Sequence, residues 1–320
     1  MRYTYLGRTD LKISQVCLGG MSFGSANWMA KSDHARKILQ KAVNLGINYI
    51  DTANIYSAGE SEKIIGEFIE GNREEFVIST KVGGKVSDKH QGFSRNEIEF
   101  EINQSLKRLR TDYIDIYFAH TWFDWLDTVD VLKTFSKYIE INEVGYLGFS
   151  NIKGYQLAEI DNTAKNNDLS RPQIVQNHYN AIYREDEREV IPYCINKKLS
   201  FSAFSPLAAG FLSGKYERGV SPKSVRAKEY PAMVSRYFKK DEFDVLDEIK
   251  TIANEQAVSP SVVSLAYLIN KKFIPVVGIS NEKHLDDVEV ALEVSLTDDQ
   301  VKRIEKRYLP HSLELGTAGY

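Results

Sequence analysis

Short apolar runs alternate along this chain with longer segments whose apolar positions recur every three or four residues. The runs at 15–18, 48–51, 76–80, 113–118, 144–149, 173–176, 200–204 and 274–277 predict eight strands. The segments between them predict helices. Ser32-Asp-His-Ala leads a stripe of Ile38, Leu39, Ala42 and Val43, which Gly46 stops. Residues 60–70 carry Ile64, Ile65, Phe68 and Ile69, and Gly71 follows. Ser94-Arg-Asn-Glu97 is a capping-box sequence ahead of Ile98, Ile102, Leu106 and Leu109. Further helices are predicted over 127–139, 153–165, 186–197, 243–255, 260–270, 284–291 and 297–308.

Eight strand–helix units in one chain predict a closed (β/α)8 TIM barrel rather than an open doubly wound sheet. Segments 2–6 and 11–14, joined by Gly7-Arg-Thr-Asp10, read as an N-terminal β-hairpin. The connection 205–242 after strand seven is rich in Gly, Pro, Lys and Arg and reads as a long loop. The last dozen residues read as a tail. No composition shift marks a domain boundary, so a single barrel domain over 1–320 is expected.

Composition narrows the functional classes. Of 320 residues, 42% are apolar and 27% charged, and the net charge is −3. No overall positive field exists to draw in a phosphate backbone, so a nucleic-acid partner is not expected. No apolar run approaches the ~20 residues that span a bilayer. The N-terminus lacks a signal-peptide core, and a cytoplasmic location is the expectation. Cys17 and Cys194 read as structural thiols, and no Cys-x-x-Cys or His-rich cluster suggests a metal.

The candidate chemistry lies at the ends of the strands, where barrels of this kind place their active sites. Asp51 and Tyr56 follow strand two, Lys81 closes strand three and His120 closes strand four. Each has an ordinary structural reading: a loop cap, a solvated amine, a satisfied core histidine. Together they make a proton-donor set. A free tyrosine has a pKa near ~10, and a lysine close to its oxygen favours the phenolate and lowers that value. Asp51 would hold the lysine charged and in place. His120 would hydrogen-bond a substrate carbonyl, and Tyr56 would protonate its oxygen as hydride reaches carbon. No side chain supplies hydride, so a cofactor is needed. Two common phosphate motifs are absent. Gly19-Gly-Met-Ser-Phe-Gly24 has the wrong spacing for a dinucleotide fingerprint, and Gly210-Phe-Leu-Ser-Gly-Lys215 is one residue short of a P-loop.

Asp51-Thr-Ala-x-x-Tyr56 with Gly59-Glu-Ser-Glu62, Ser79-Thr-Lys81 and His120 resembles the aldo-keto reductases, and the likeness runs along nearly the whole chain. The resemblance implies catalytic roles for Asp51, Tyr56, Lys81 and His120. It also implies a nicotinamide cofactor lying extended across the barrel mouth. Ser150 and Asn151, in Gly148-Phe-Ser-Asn151, and Gln176, in Gln176-Asn-His-Tyr-Asn180, would then bind the carboxamide. Phe204 would stack on the ring. Ser205, Pro206, Leu207, Ala208, Gly210 and Lys215 would wrap the pyrophosphate, and Gly20 and Met21 would approach from the first strand. Gly278, Ser280, His284 and Asp287 would meet the adenosine end. The potassium-channel β-subunit branch carries a similar Gly-x-Ser-Asn there.

The departures matter as well. His120 is followed by Thr-Trp-Phe-Asp-Trp125 instead of a Pro-Asp or Trp-Asp step. Ser280 stands where many members have Arg, and Val288 where an adenine-contacting Asn is common. Lys215, Arg226 and Lys283 are candidate partners for a 2′-phosphate, so NADP(H) is preferred, with NAD(H) left open. Tyr56, His120, Trp28 and Trp122, with Phe123 and Trp125 nearby, are expected around the substrate. Such a pocket suits aromatic or aliphatic carbonyls and their alcohols. Two other readings stay open: a regulatory protein that senses cofactor redox state, and a barrel lyase using the same lysine. The retained His120 argues against the first. Asp51 beside Lys81 argues against the second, because a Schiff-base lysine needs a depressed pKa. The sequence does not specify an oligomeric state.

Overall fold

The computed structural model describes residues 1–229 and 231–312. A hairpin of β1 (Tyr3–Tyr5) and β2 (Lys12–Ser14) comes first. Eight parallel strands then close a barrel: β3 (Cys17–Gly19), β4 (Tyr49–Asp51), β5 (Val77–Val82), β6 (Ile114–Ala119), β7 (Val144–Ser150), β8 (Pro172–His178), β9 (Ser200–Phe204) and β10 (Ile274–Gly278). Each pairs with the next, and β10 pairs back to β3, Val276 opposite Cys17. The helices alternate with them: α1 (Ser32–Asn44), α2 (Glu60–Ile69), α3 (Arg95–Leu109), α4 (Thr128–Glu140), α5 (Gly154–Asn166) and α6 (Val190–Lys197). After β9 come α7 (Val225–Glu229), α8 (Pro231–Tyr237), α9 (Lys240–Glu255) and α10 (Pro260–Asn270). After β10 come α11 (His284–Glu293) and α12 (Asp298–Lys306).

The barrel strands are buried on both faces, which is why they read as apolar runs rather than as alternation. One face packs outward on the helices, as Ile50, Ile78, Tyr117 and Leu147 do. The other fills the barrel with Cys17, Tyr49, Val77, Ile116, Phe118, Ile174, Ile274 and Val276, and the hairpin region plugs its N-terminal end with Leu6 and Ile13. Strand period two has a direct consequence for the site. Tyr49 points inward, so Asp51 does. Val77 does, so Ser79 and Lys81 do. Phe118 and Ile174 carry the same phase to His120 and Gln176.

Strand and helix positions follow the sequence pattern to within a few residues, with four differences. Strand one is shifted to Cys17–Gly19. Helix α6 begins at Val190, after a separate turn at Glu185–Glu187. The capping box at Ser94 is only half formed: Ser94 accepts from the Glu97 N–H at 3.2 Å, but the Glu97 carboxylate turns to His90. The expected loop 205–242 contains α7 and α8, held by Ala227 and Tyr237 in the core and by Phe238 against Tyr216, 4.8 Å between ring centres. Of the expected tail, the last dozen residues, the part from 313 onward lies outside the described residues. No helix among the described residues is long and apolar enough to cross a membrane.

Candidate active site

The C-terminal ends of the strands open into a cleft of about 790 Å³. Lys81 sits below its floor, fully buried. Its ammonium donates to both oxygens of Asp51, at 2.7 and 2.6 Å, and to the Thr52 carbonyl at 2.8 Å. Asp51 Oδ1 also accepts from Ser79 Oγ at 2.7 Å and Gln176 Nε2 at 3.0 Å. These donors satisfy the buried carboxylate, which is the condition under which a buried ion pair is tolerated. Burial works against the ammonium, yet the Asp51 carboxylate outweighs it and holds the Lys81 pKa above its ordinary value.

Tyr56 and His120 stand above this pair on the cleft wall. Their rings meet edge to face, 5.8 Å between centres, and Lys81 Nζ lies 5.3 Å from the Tyr56 ring centre. Burial pushes the phenol upward, and the pull of Lys81 reduces that shift without reversing it. This corrects the expectation of a lowered tyrosine pKa: desolvation of the phenolate exceeds the attraction of a lysine already paired with Asp51. Burial, reinforced by the positive Lys81, pushes His120 down to about 3. The imidazole is neutral, and its buried Nδ1 has no hydrogen-bond partner among the described residues.

Ser150, Asn151, Gln176 and Phe204 line the same cleft beside Tyr56. Asn151 adopts a left-handed backbone (φ 50°), and its Nδ2 donates to the His120 carbonyl at 2.8 Å and to Ser150 Oγ at 3.2 Å. Met21, Ser205, Pro206, Leu207, Gly210, Lys215, Gly278, Ser280, His284 and Asp287 continue the wall. A Cβ at Gly210 would stand 3.2 Å from Lys215 Nζ, so glycine leaves room beside the ammonium. His284 is pushed down by burial and by Lys215. A cleft whose wall carries both a polar amide cluster and a glycine-lined cation fits an extended dinucleotide.

Other expected residues lie elsewhere. Gly20 packs tightly on the start of α2, where a Cβ would stand 2.7 Å from Ser61 Oγ, and it is off the cleft wall. Ala208 is fully buried, and Lys283 is absent from the wall. Trp122, expected around the substrate, does not line the cleft: its ring is buried between Phe149, at 5.4 Å, and Phe93, at 6.2 Å. Phe123 stacks on Trp125, which is 73% exposed, and neither lines the cleft. Only Trp28 of these aromatics lines it, under the Arg226 guanidinium at 4.6 Å. The sequence reading missed Met29, Ile55, Arg236 and Tyr237 on the wall. Pro231 at the start of α8 is the signal that could have found the last two, since proline favours a helix's first position.

The aldo/keto reductase family model matches residues 15–308, and the chain belongs to that family. It is 31% identical to the aldo-keto reductase AMT2 of Alternaria alternata, over 96% of this chain and 91% of that one. It is also 31% identical to a putative aryl-alcohol dehydrogenase of Schizosaccharomyces pombe, over 96% of each. Identity to the versiconal hemiacetal acetate reductase of Aspergillus parasiticus is 28%, over 99% of each. The protein is an oxidoreductase enzyme of a family that generally uses nicotinamide cofactors.

Proposed function

We propose that the protein, one barrel domain in the cytoplasm, reduces aldehydes and ketones to alcohols with NADPH. The observation that carries this reading is the Lys81–Asp51 pair buried beneath Tyr56 and beside a neutral His120. The bound cofactor supplies the hydride. Ser150, Asn151 and Gln176 hold its carboxamide and Phe204 its ring face, which selects the face presented to substrate. His120 donates a hydrogen bond to the carbonyl oxygen and orients it. Tyr56 gives its proton to that oxygen, and Lys81 stabilises the phenolate left behind. The phenol is protonated at neutral pH, as the acid of a reduction must be, and Lys81 opposes the burial that weakens it as a donor.

The Lys215 and Arg226 cations on the cleft wall support a 2′-phosphate and so NADP(H) over NAD(H). Trp28, Met29 and Ile55 around Tyr56 support an apolar, aryl or aliphatic carbonyl substrate. The names of the aryl-alcohol dehydrogenase relatives agree with that class. The test is Tyr56→Phe. Turnover of an aryl aldehyde should fall ~10²–10⁴-fold while NADPH affinity stays within a few-fold. Loss of both together would show that the tyrosine has another role. Turnover of sugar phosphates equal to that of benzaldehydes would sink the substrate class.

A further inference from the structure

We propose that His90, Glu97 and Glu101 form a binding site for a divalent transition-metal ion that ties the loop 83–93 to α3. The site lies outside the catalytic cleft and uses none of its residues. It also departs from the metal-free expectation of the sequence, which lacks any dense ligand motif.

Glu97 and Glu101 are four residues apart on α3, so they share one helix face. His90 reaches them from a turn in the loop, closed by Ser87 and His90 backbone hydrogen bonds. The three ligand atoms lie within 4.8 Å of one another. His90 Nδ1 and Glu97 Oε2 are 3.3 Å apart, matching the ~3.3 Å between two ligands on a tetrahedral ion with bonds of ~2.0–2.1 Å.

Two further features point to a cation. Glu97 is 9% exposed, and its buried Oε1 has no hydrogen-bond partner among the described residues. The surroundings are also short of positive charge. Glu62, Glu97 and Glu101 are buried together, and Arg108 is the guanidinium shared by Glu62 at 2.5 Å and Glu101 at 3.3 Å. Glu62 and Glu101 thus share one guanidinium, and Glu97 has only His90 as an ion-pair partner among the described residues.

The ligands are also oriented. His90 stacks flat on Phe100, 4.0 Å between centres and 8° between planes, and Arg108 holds Glu101. One nitrogen and two carboxylates suit zinc, with water completing the shell.

Zinc is the probe. The chelator-stripped protein is titrated with Zn²⁺ against a chromogenic competitor, beside His90→Ala and Glu97→Gln. The expected result is one saturable equivalent in the native chain, with affinity at least ~10-fold weaker in each variant. Backbone amides of 83–93 should exchange more slowly with zinc in the native chain and not in the variants. Glu97→Gln is expected to fold, since it removes a buried charge and leaves the Ser94 cap in place. Equal affinity in native chain and variants, or unchanged exchange at 83–93, would overturn the proposal.

Discussion

At the scale of single residues, the buried charge pair beneath the cleft dominates. Lys81 and Asp51 are each other's main compensation, so removing one strands the other in a low-dielectric interior. Lys81→Met should therefore cost about 3–5 kcal/mol in denaturant unfolding, besides its effect on turnover. His120 and His178 behave in the opposite sense. Burial pushes both down to about 3, so the native chain keeps them neutral while the unfolded chain takes up protons below its ordinary value of 6.5. Their neutral burial costs nothing above pH 6.5, and stability is lost as pH falls from there toward 3. The slope reaches at most about 1.4 kcal/mol per pH unit for each group. Urea unfolding between pH 4.5 and 7 should show it, and His178→Gln should make the dependence shallower. Turnover, in contrast, should show no His120 inflection between pH 5 and 8.

At the scale of elements, close approaches set the tolerances. Gly66 on α2 faces the end of α3, where a Cβ would stand 2.5 Å from the Arg108 carbonyl. Backbone cannot step aside as a flexible side chain can. Gly66→Ala should thus destabilise by about 1–3 kcal/mol, read by thermal or denaturant melts, with the active-site chemistry unchanged. The contacts between α7 and the loop after β3 bear on function instead. Asn27 donates to Glu229 at 2.6 Å and Trp28 lies under Arg226, so the two segments meet across the cleft mouth. Trp28→Ala should raise the KM for an aryl aldehyde several-fold and leave kcat nearly unchanged, because Trp28 touches the pocket wall and not the acid. An equal fall in kcat would mean that the ring takes part in the reacting geometry.

At the scale of the whole molecule, strand order turns separate polar residues into one site. Closing β10 onto β3 brings the glycine-rich turn after β9 and Ser280 after β10 to the same mouth as Asp51 and His120. Titration with NADPH and NADH, followed by tryptophan fluorescence, should show tighter binding of NADPH. Equal affinities would remove the argument from Lys215 and Arg226 without touching the tetrad.

Local chemistry in the sequence already carried the eight strands, most helices and the placement of Asp51, Lys81 and His120 at strand ends. Periodicity and strand ends are properties of neighbouring residues, so they are legible in one dimension. Three things were not. The direction of the Tyr56 shift depends on how much solvent the fold removes around the phenol. The burial of Trp122 depends on Phe149 and Phe93, which lie far from it along the chain. The meeting of His90 with two α3 carboxylates depends on the path of a loop that the helix period cannot specify. Each is a balance of desolvation and packing among groups that the chain brings together only on folding, and there the tertiary structure decides.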